Sequence, residues 1–173
     1  MGVLRRMKLF CIFCALLALF GCTADKVNSS EFDLKIEISP SSYTIQTGES
    51  FPIEIMINEC SQPIFGLSLQ IEYNLELIFC ENPASLATCE FFGSNSISFI
   101  QINDNIIHLA FSLMQGEQPV SGSEILCTIY LEAVAAGITE IVILPNSVNA
   151  FDTQGSPLEI DLLILNNALV EII

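Results

Sequence analysis

Phe65–Tyr73 reads Phe-Gly-Leu-Ser-Leu-Gln-Ile-Glu-Tyr, with Leu67, Leu69, Ile71 and Tyr73 alternating against Gly66, Ser68, Gln70 and Glu72. A period of two places the apolar set on one face of a β-strand and the polar set on the other. Such a strand needs a second layer to cover its apolar face and leaves its polar face free for another use. The same alternation recurs along the chain. It is seen at Leu34–Ile38, at Pro52–Asn58 with Ile53, Ile55 and Ile57 inward, at Ile106–Leu113 with Ile107, Leu109, Phe111 and Leu113 inward, and at Glu124–Glu132 with Cys127, Ile129 and Leu131 inward. Further strands are expected at Ser96–Ile102, Gly137–Leu144, Leu158–Leu165 and Leu169–Ile173, with Leu75–Phe79 as a short continuation of the Phe65–Tyr73 strand. Turn residues separate them, including Thr47-Gly48-Glu49-Ser50, Asn103-Asp104-Asn105 and Phe151-Asp-Thr-Gln-Gly155. No stretch beyond the first twenty-two residues holds a helical period. About nine short strands in two sheets predict an all-β, antiparallel β-sandwich of jelly-roll type. A transmembrane barrel would need aromatic girdles on strands of about ten residues. Three tyrosines, no tryptophan and short strands exclude it.

The first residues have another purpose. Arg5, Arg6 and Lys8 precede the apolar run Leu9–Phe20, which is short for a membrane span. The run ends Leu19-Phe20-Gly21-Cys22, which resembles the lipobox of bacterial lipoproteins. That resemblance implies a signal peptide over 1–21, cleavage before Cys22 and lipid on its sulfur, so that the acyl chains are the only membrane contact. Thr23 in place of the aspartate associated with inner-membrane retention points to the outer membrane or cell surface. Residues 22–32 read as a flexible polar tether and 33–173 as one domain. Cleavage leaves Lys26 and Lys35 against all 20 acidic residues, a net charge of −18. A surface of that sign repels nucleic acid and anionic lipid, and suits a soluble body or a cationic partner.

Candidate chemistry is sparse. His108 is the only histidine and falls on the polar side of its strand. A Ser–His–Asp triad would need it, but no Gly-x-Ser-x-Gly elbow sets up a nucleophile. The carboxylate pairs Asp152 with Asp161 and Glu54 with Glu72 carry little weight in so acidic a chain. Asp104 lacks the spacing of a calcium loop, and one histidine without a CxxC in the mature chain argues against zinc. Neither a metal nor a cofactor is expected. Four cysteines remain in the domain: Cys60, Cys80, Cys89 and Cys127. They allow three pairings. Cys80 and Cys89 bracket a short Pro-containing loop and could staple it; free thiols are the alternative. A polysaccharide-binding surface would want a row of exposed aromatics. Tyr73 points inward and Tyr130 outward.

Several stretches together resemble the cohesin domain of cellulosome scaffoldins and the related cellulose-binding sandwich modules. They are Ile38-Ser-Pro40, Thr47-Gly48-Glu49-Ser50-Phe51, Ile64–Asn74, Leu126–Ala133 with Ala136-Gly137, Phe151–Gly155 and the Asn166-Asn167 turn, spread over 33–173. Asn74-Leu75 replaces the family's Asp-Pro, and Asn167 replaces its turn glycine. The resemblance implies a non-catalytic module that binds a dockerin-type protein. The docking face would be the outer side of a sheet built from Phe65–Tyr73, Ile106–Leu113, Ser96–Ile102 and Thr139–Leu144. Carried onto this chain, that face shows Ser68, Gln70, Glu72, His108, Ala110 and Ser112. Such a module would display polysaccharide-degrading or other exported proteins. A carbohydrate-binding module of the same fold and a structural envelope lipoprotein are the alternatives.

Overall fold

The computed structural model describes residues 31–80 and 89–173. The expected signal peptide, Cys22 and the tether up to residue 30 lie outside the described residues, as does 81–88. Twelve strands form two sheets packed face to face: β1 (Asp33–Ser39), β2 (Ser42–Ile45), β3 (Ser50–Cys60), β4 (Gly66–Glu72), β5 (Ile78–Phe79), β6 (Ser96–Asn103), β7 (Ile106–Leu113), β8 (Glu124–Ala133), β9 (Gly137–Ile143), β10 (Asn149–Phe151), β11 (Leu162–Asn166) and β12 (Ala168–Ile172). One sheet has the order β11-β1-β3-β8-β5; the other runs β2-β12-β9-β4-β7-β6, with β10 also on β4. The expected all-β sandwich is therefore observed, with the short strands β2 and β10 in addition; Leu75–Phe79, expected to continue the Phe65–Tyr73 strand, instead sends Ile78–Phe79 to the edge of β8 in the other sheet. Among the described residues the only helical piece is a single 3-10 turn, Pro145–Ser147.

The sandwich is not wholly antiparallel. β1 pairs β11 and β12 pairs β2 in parallel. The cause is topological. The first segment crosses from the five-stranded sheet to the seven-stranded one between β1 and β2, and the last segment crosses the same way between β11 and β12. Two crossings in one direction, side by side, must leave parallel neighbours in both sheets.

Leu158–Leu165 contributes fewer strand residues than expected. Leu158 N–H donates to the Ala150 carbonyl (2.8 Å), and Pro157 bridges Phe151. Only from Leu162 does the chain lie against β1. Phe32, expected at the end of the tether, instead belongs to the core. Its side chain is buried, its N–H donates to Asp161 Oδ2 (2.6 Å), and its carbonyl accepts from Asp161 N–H (2.9 Å).

The core follows the alternation. Ile53, Ile55 and Ile57 of β3 and Cys127, Ile129 and Leu131 of β8 meet Leu67, Leu69 and Ile71 of β4 and Ile107, Leu109 and Phe111 of β7, all buried. Each such side chain contributes about 1.5–3 kcal/mol by leaving water. Among the described residues no polar or charged side chain is buried.

Two turns position the functional sheet. Asp104 takes a left-handed φ of 52°, which lets a two-residue turn join β6 to β7. At the far end Gly66 pairs Ser112, and a Cβ there would lie 3.0 Å from the Phe111 carbonyl oxygen, so close strand approach requires glycine.

Candidate partner-binding face

β4 is central to its sheet. Its one edge is filled by β7 in unbroken register from Gly66↔Ser112 to Glu72↔Ile106. Its other edge is shared: β9 pairs at Ile71↔Ile143 and Glu72↔Val142, while β10 pairs at Ser68↔Asn149 and Gly66↔Phe151. The register advances by three residues between the two, the length of the intervening 3-10 turn. Ser147 of that turn spans the gap, its Oγ accepting from Gln70 N–H (2.8 Å) and donating to the Leu144 carbonyl (2.6 Å). The backbone beneath the face is thus satisfied without a ligand.

Register then assembles the expected residues. Ser68 lies opposite Ala110, Gln70 opposite His108 and Gly66 opposite Ser112, and Glu72 follows at the end of the same row. Because cross-strand partners share a face, all six expected positions meet on the outer side. The Gln70 side-chain amide donates to His108 Nδ1 (3.2 Å). An amide nitrogen only donates, so this contact requires Nδ1 unprotonated and leaves Nε2–H free to donate outward. Asn105 Nδ2 donates to Glu72 Oε1 (3.0 Å), tying the hairpin turn to the end of β4. Ser68, Ala110 and Ser112 are short side chains, so the middle of the surface is low.

Two residues that the sequence reading left out border this low strip. Ile97 pairs Ser112 and Phe99 pairs Ala110 across β6–β7, and they are 59% and 58% exposed. The signal that could have found them is the two-residue turn: counting back from Asn103 opposite Ile106 brings Phe99 opposite Ala110. On the other flank Val142, Glu140 and Ile138 of β9 and Leu169 and Glu171 of β12 continue the same face. The surface therefore grades from an uncharged apolar edge at β6, through small and amide side chains, to an acidic flank carrying Glu72, Glu140 and Glu171. Glu72, Glu76 and Glu140 also line an open recess at that end.

Among the described residues the side-chain hydrogen bond of the His108 ring is to the Gln70 amide. Among the described residues no group of three His, Cys, Asp or Glu side chains is placed to hold a metal ion.

Of the two readings left open for the cysteines, a Cys80–Cys89 staple and free thiols, the structure has the second. All four are free thiols, and Cys80 is not joined to Cys89. Cys80 leaves the edge of β8 just past the pair Phe79↔Glu132, its Sγ reaching the Tyr130 carbonyl (3.9 Å). The chain is back on that edge at Phe91, whose N–H donates to the Ile125 carbonyl (2.9 Å). Burial pushes the Cys60 and Cys80 thiols up to about 11.

No protein-family model matches the sequence, nor does any curated protein. Solved structures do. A non-cellulosomal cohesin from the archaeon Archaeoglobus fulgidus aligns at 12% identity and TM-score 0.62, covering 83% of this chain and 92% of that one. A chain of a type I cohesin–dockerin complex from Clostridium thermocellum aligns at 16% identity and TM-score 0.64, covering 82% and 94%. The cohesin module of a family 33 glycoside hydrolase from Clostridium perfringens aligns at 11% identity and TM-score 0.61, covering 82% and 96%. At these identities the likeness is one of architecture, and the architecture is that of the cohesin modules.

Proposed function

We propose that the chain is a non-catalytic, lipid-anchored binding module that receives a dockerin-type protein module on the outer face of its seven-stranded sheet. The observation that carries this reading is the flat strip of Ser68, Gln70, His108, Ala110 and Ser112 bordered by exposed Ile97 and Phe99. Its composition suits a partner helix: an apolar anchor at one edge, amide and imidazole donors in the middle, and carboxylates on the far flank. Six strands spaced by about 4.8 Å make a surface on the order of 25 Å wide. That is the scale of an interface burying about 800 Å² per partner. The acidic flank favours basic residues on the partner, which raises the association rate more than the affinity. Solved neighbours such as the Clostridium thermocellum complex pair a cohesin with a dockerin, which supports the same choice.

The anchor is part of the proposal. Lipid on Cys22 holds the domain at the outer membrane or cell surface, where it displays polysaccharide-degrading or other exported proteins. A Cys22→Ser protein that still incorporates labelled palmitate would contradict the anchor.

One observation favours a polysaccharide ligand instead. Tyr130 is 49% exposed beside Pro52 on the opposite sheet, with Phe79 exposed on the neighbouring strand. The two readings separate in one experiment: the purified protein is titrated against a panel of recombinant dockerin modules and sedimented with insoluble polysaccharides. Saturable binding to a dockerin, abolished by Phe99→Arg, supports the proposal. Sedimentation with polysaccharide that survives Phe99→Arg and is lost in Tyr130→Ala overturns it.

A further inference from the structure

Of the four strands that end a sheet, β6 is the longest: eight residues, against five in β11, four in β2 and two in β5. One edge of β6 is paired to β7 without a break from Ser96↔Leu113 to Asn103↔Ile106, and among the described residues no strand lies along its other edge. Exposed edges are ordinarily protected by charge, by proline, by a bulge or by short length. β6 has none of these protections: Ser-Ile-Ser-Phe-Ile-Gln-Ile-Asn contains no Asp, Glu, Lys, Arg or Pro.

The ladder with β7 sets which backbone groups are left open. Met114 N–H donates to the Asn95 carbonyl (3.0 Å), so residues 95 and 114 are a hydrogen-bonded pair. Such pairs recur at every second residue of an antiparallel ladder. Ile97, Phe99, Gln101 and Asn103 therefore turn N–H and C=O toward β7, while Ser96, Ser98, Ile100 and Ile102 turn theirs to the open edge.

We propose that a second copy of this chain pairs with that edge, β6 antiparallel to β6 about a two-fold axis at Phe99. Ser98 then lies opposite Ile100 of the second copy and Ser96 opposite Ile102, so all four open-edge residues are hydrogen-bonded in both copies. Sliding the register by two residues puts Ser96 against the Asp104 turn or Ile102 against Ser94, outside the strand. Phe99 meets Phe99 as a non-hydrogen-bonded pair, the kind that approaches most closely, and each ring covers part of the other's exposed surface. Charge selects this edge for a copy. Two chains of formal net charge −15 repel each other, and β6 with β7 is a region free of carboxylates. The remaining like-charge approach is at the ends: antiparallel pairing carries Asp104 of one copy toward Asn95 of the other, whose Nδ2 donates to Glu117 Oε1 (2.9 Å). An isologous contact of this kind uses up both open edges and closes at two subunits. It leaves the outer sheet faces uncovered and sets them side by side, so it stands whether or not that face receives a dockerin.

The test follows the purified protein by sedimentation velocity from micromolar to submillimolar concentration, at low and high salt. The expected result is a monomer–dimer equilibrium with no larger species, shifted toward dimer as salt screens the two acidic bodies. Ser98→Pro removes an N–H that points away from β7, and should keep the fold while weakening dimerisation about tenfold or more. Ser98→Glu, which leaves every backbone group in place, should do the same by setting like charges about the axis. Neither variant touches the outer strip, so dockerin binding by both should match that of the unaltered protein, which separates failure of this proposal from failure of the docking reading. A monomer at every concentration, a dimer that persists in both variants, or growth beyond two subunits would overturn the assignment.

Discussion

The two sheets of the sandwich share one interior and present opposite exteriors. Outward from the five-stranded sheet stand Asp33, Lys35 and Glu37 on β1, Glu54 on β3 and Glu132 on β8, so charge is spread across the surface. Outward from the seven-stranded sheet, β6 and β7 carry no Asp, Glu, Lys or Arg at all. Their face offers Ile97, Phe99, His108, Ala110 and Ser112, and acidic residues begin only at Glu72 and continue on β9 and β12. In a chain with a formal net charge of −15, an uncharged exposed strip is a departure from what solubility favours. Ile97 and Phe99 gain little by standing in water, and burying them against a partner is the favourable alternative. The comparison teaches that the two faces are distinguished by where charge is withheld, more than by any reactive group.

The largest effect tests the interior that supports both faces. Leu69→Ala on β4 removes a buried side chain and should cost about 2–5 kcal/mol of unfolding free energy in a urea titration. Smaller, and specific to one exterior, is Phe99→Arg. It should weaken dockerin binding by about thirtyfold or more while shifting the melting temperature little, because the position is more than half exposed. Smaller again is the Gln70–His108 contact. Gln70→Ala and His108→Ala should each weaken binding by about three- to tenfold, with the double variant losing less than the product, as a double-mutant cycle would read. Tyr130→Ala, on the charged exterior, should change dockerin binding less than twofold. A larger loss there would erase the distinction between the faces.

Alkaline stability probes the shared interior without substitution. Burial raises the Cys60, Cys80 and Cys127 thiols above the ordinary value near 8.5. A group raised in the folded state contributes fully below its unfolded value, and that contribution is lost as pH rises toward the folded one. With Cys60 and Cys80 near 11, the reduced protein should keep constant stability from this source up to about pH 8 and lose it between about pH 8.5 and 11. Denaturant midpoints measured across that range check the sign.

Much of this molecule was legible in its alternation. Ile53, Ile55 and Ile57 against Cys127, Ile129 and Leu131 were assigned to the covering sheet from period alone, and all six are buried. Asp104 was assigned to the hairpin turn and adopts the left-handed conformation required there. β2 and β10 escaped because three or four residues hold no period to detect, and β5 was read as continuing β4 because nothing local marks its crossing to the other sheet. The parallel pairs escaped because they depend on two crossings far apart in sequence. On the face, alternation turns Ser68, Gln70 and Glu72 of β4 and His108 of β7 to the polar side of their strands, and the resemblance to cohesins is what set the two strands side by side as one face. Phe99 and Ile97 were missed because β6 carries apolar residues in both phases, Ile97 and Phe99 outward and Ile100 and Ile102 inward, so the pattern names no outer side. The cysteine geometry was illegible for a different reason. It depends on where each thiol sits against strands distant in sequence, which has no local sequence signature.

The claim that one exterior is the recognition surface is tested most directly by hydrogen–deuterium exchange on the purified protein, alone and saturated with a dockerin module that binds it. The account predicts that added protection falls on β4, β6, β7 and the Asp104 turn, leaving β1, β3 and β8 unchanged. Protection centred on β8 around Tyr130, with β6 and β7 exchanging as before, would contradict it.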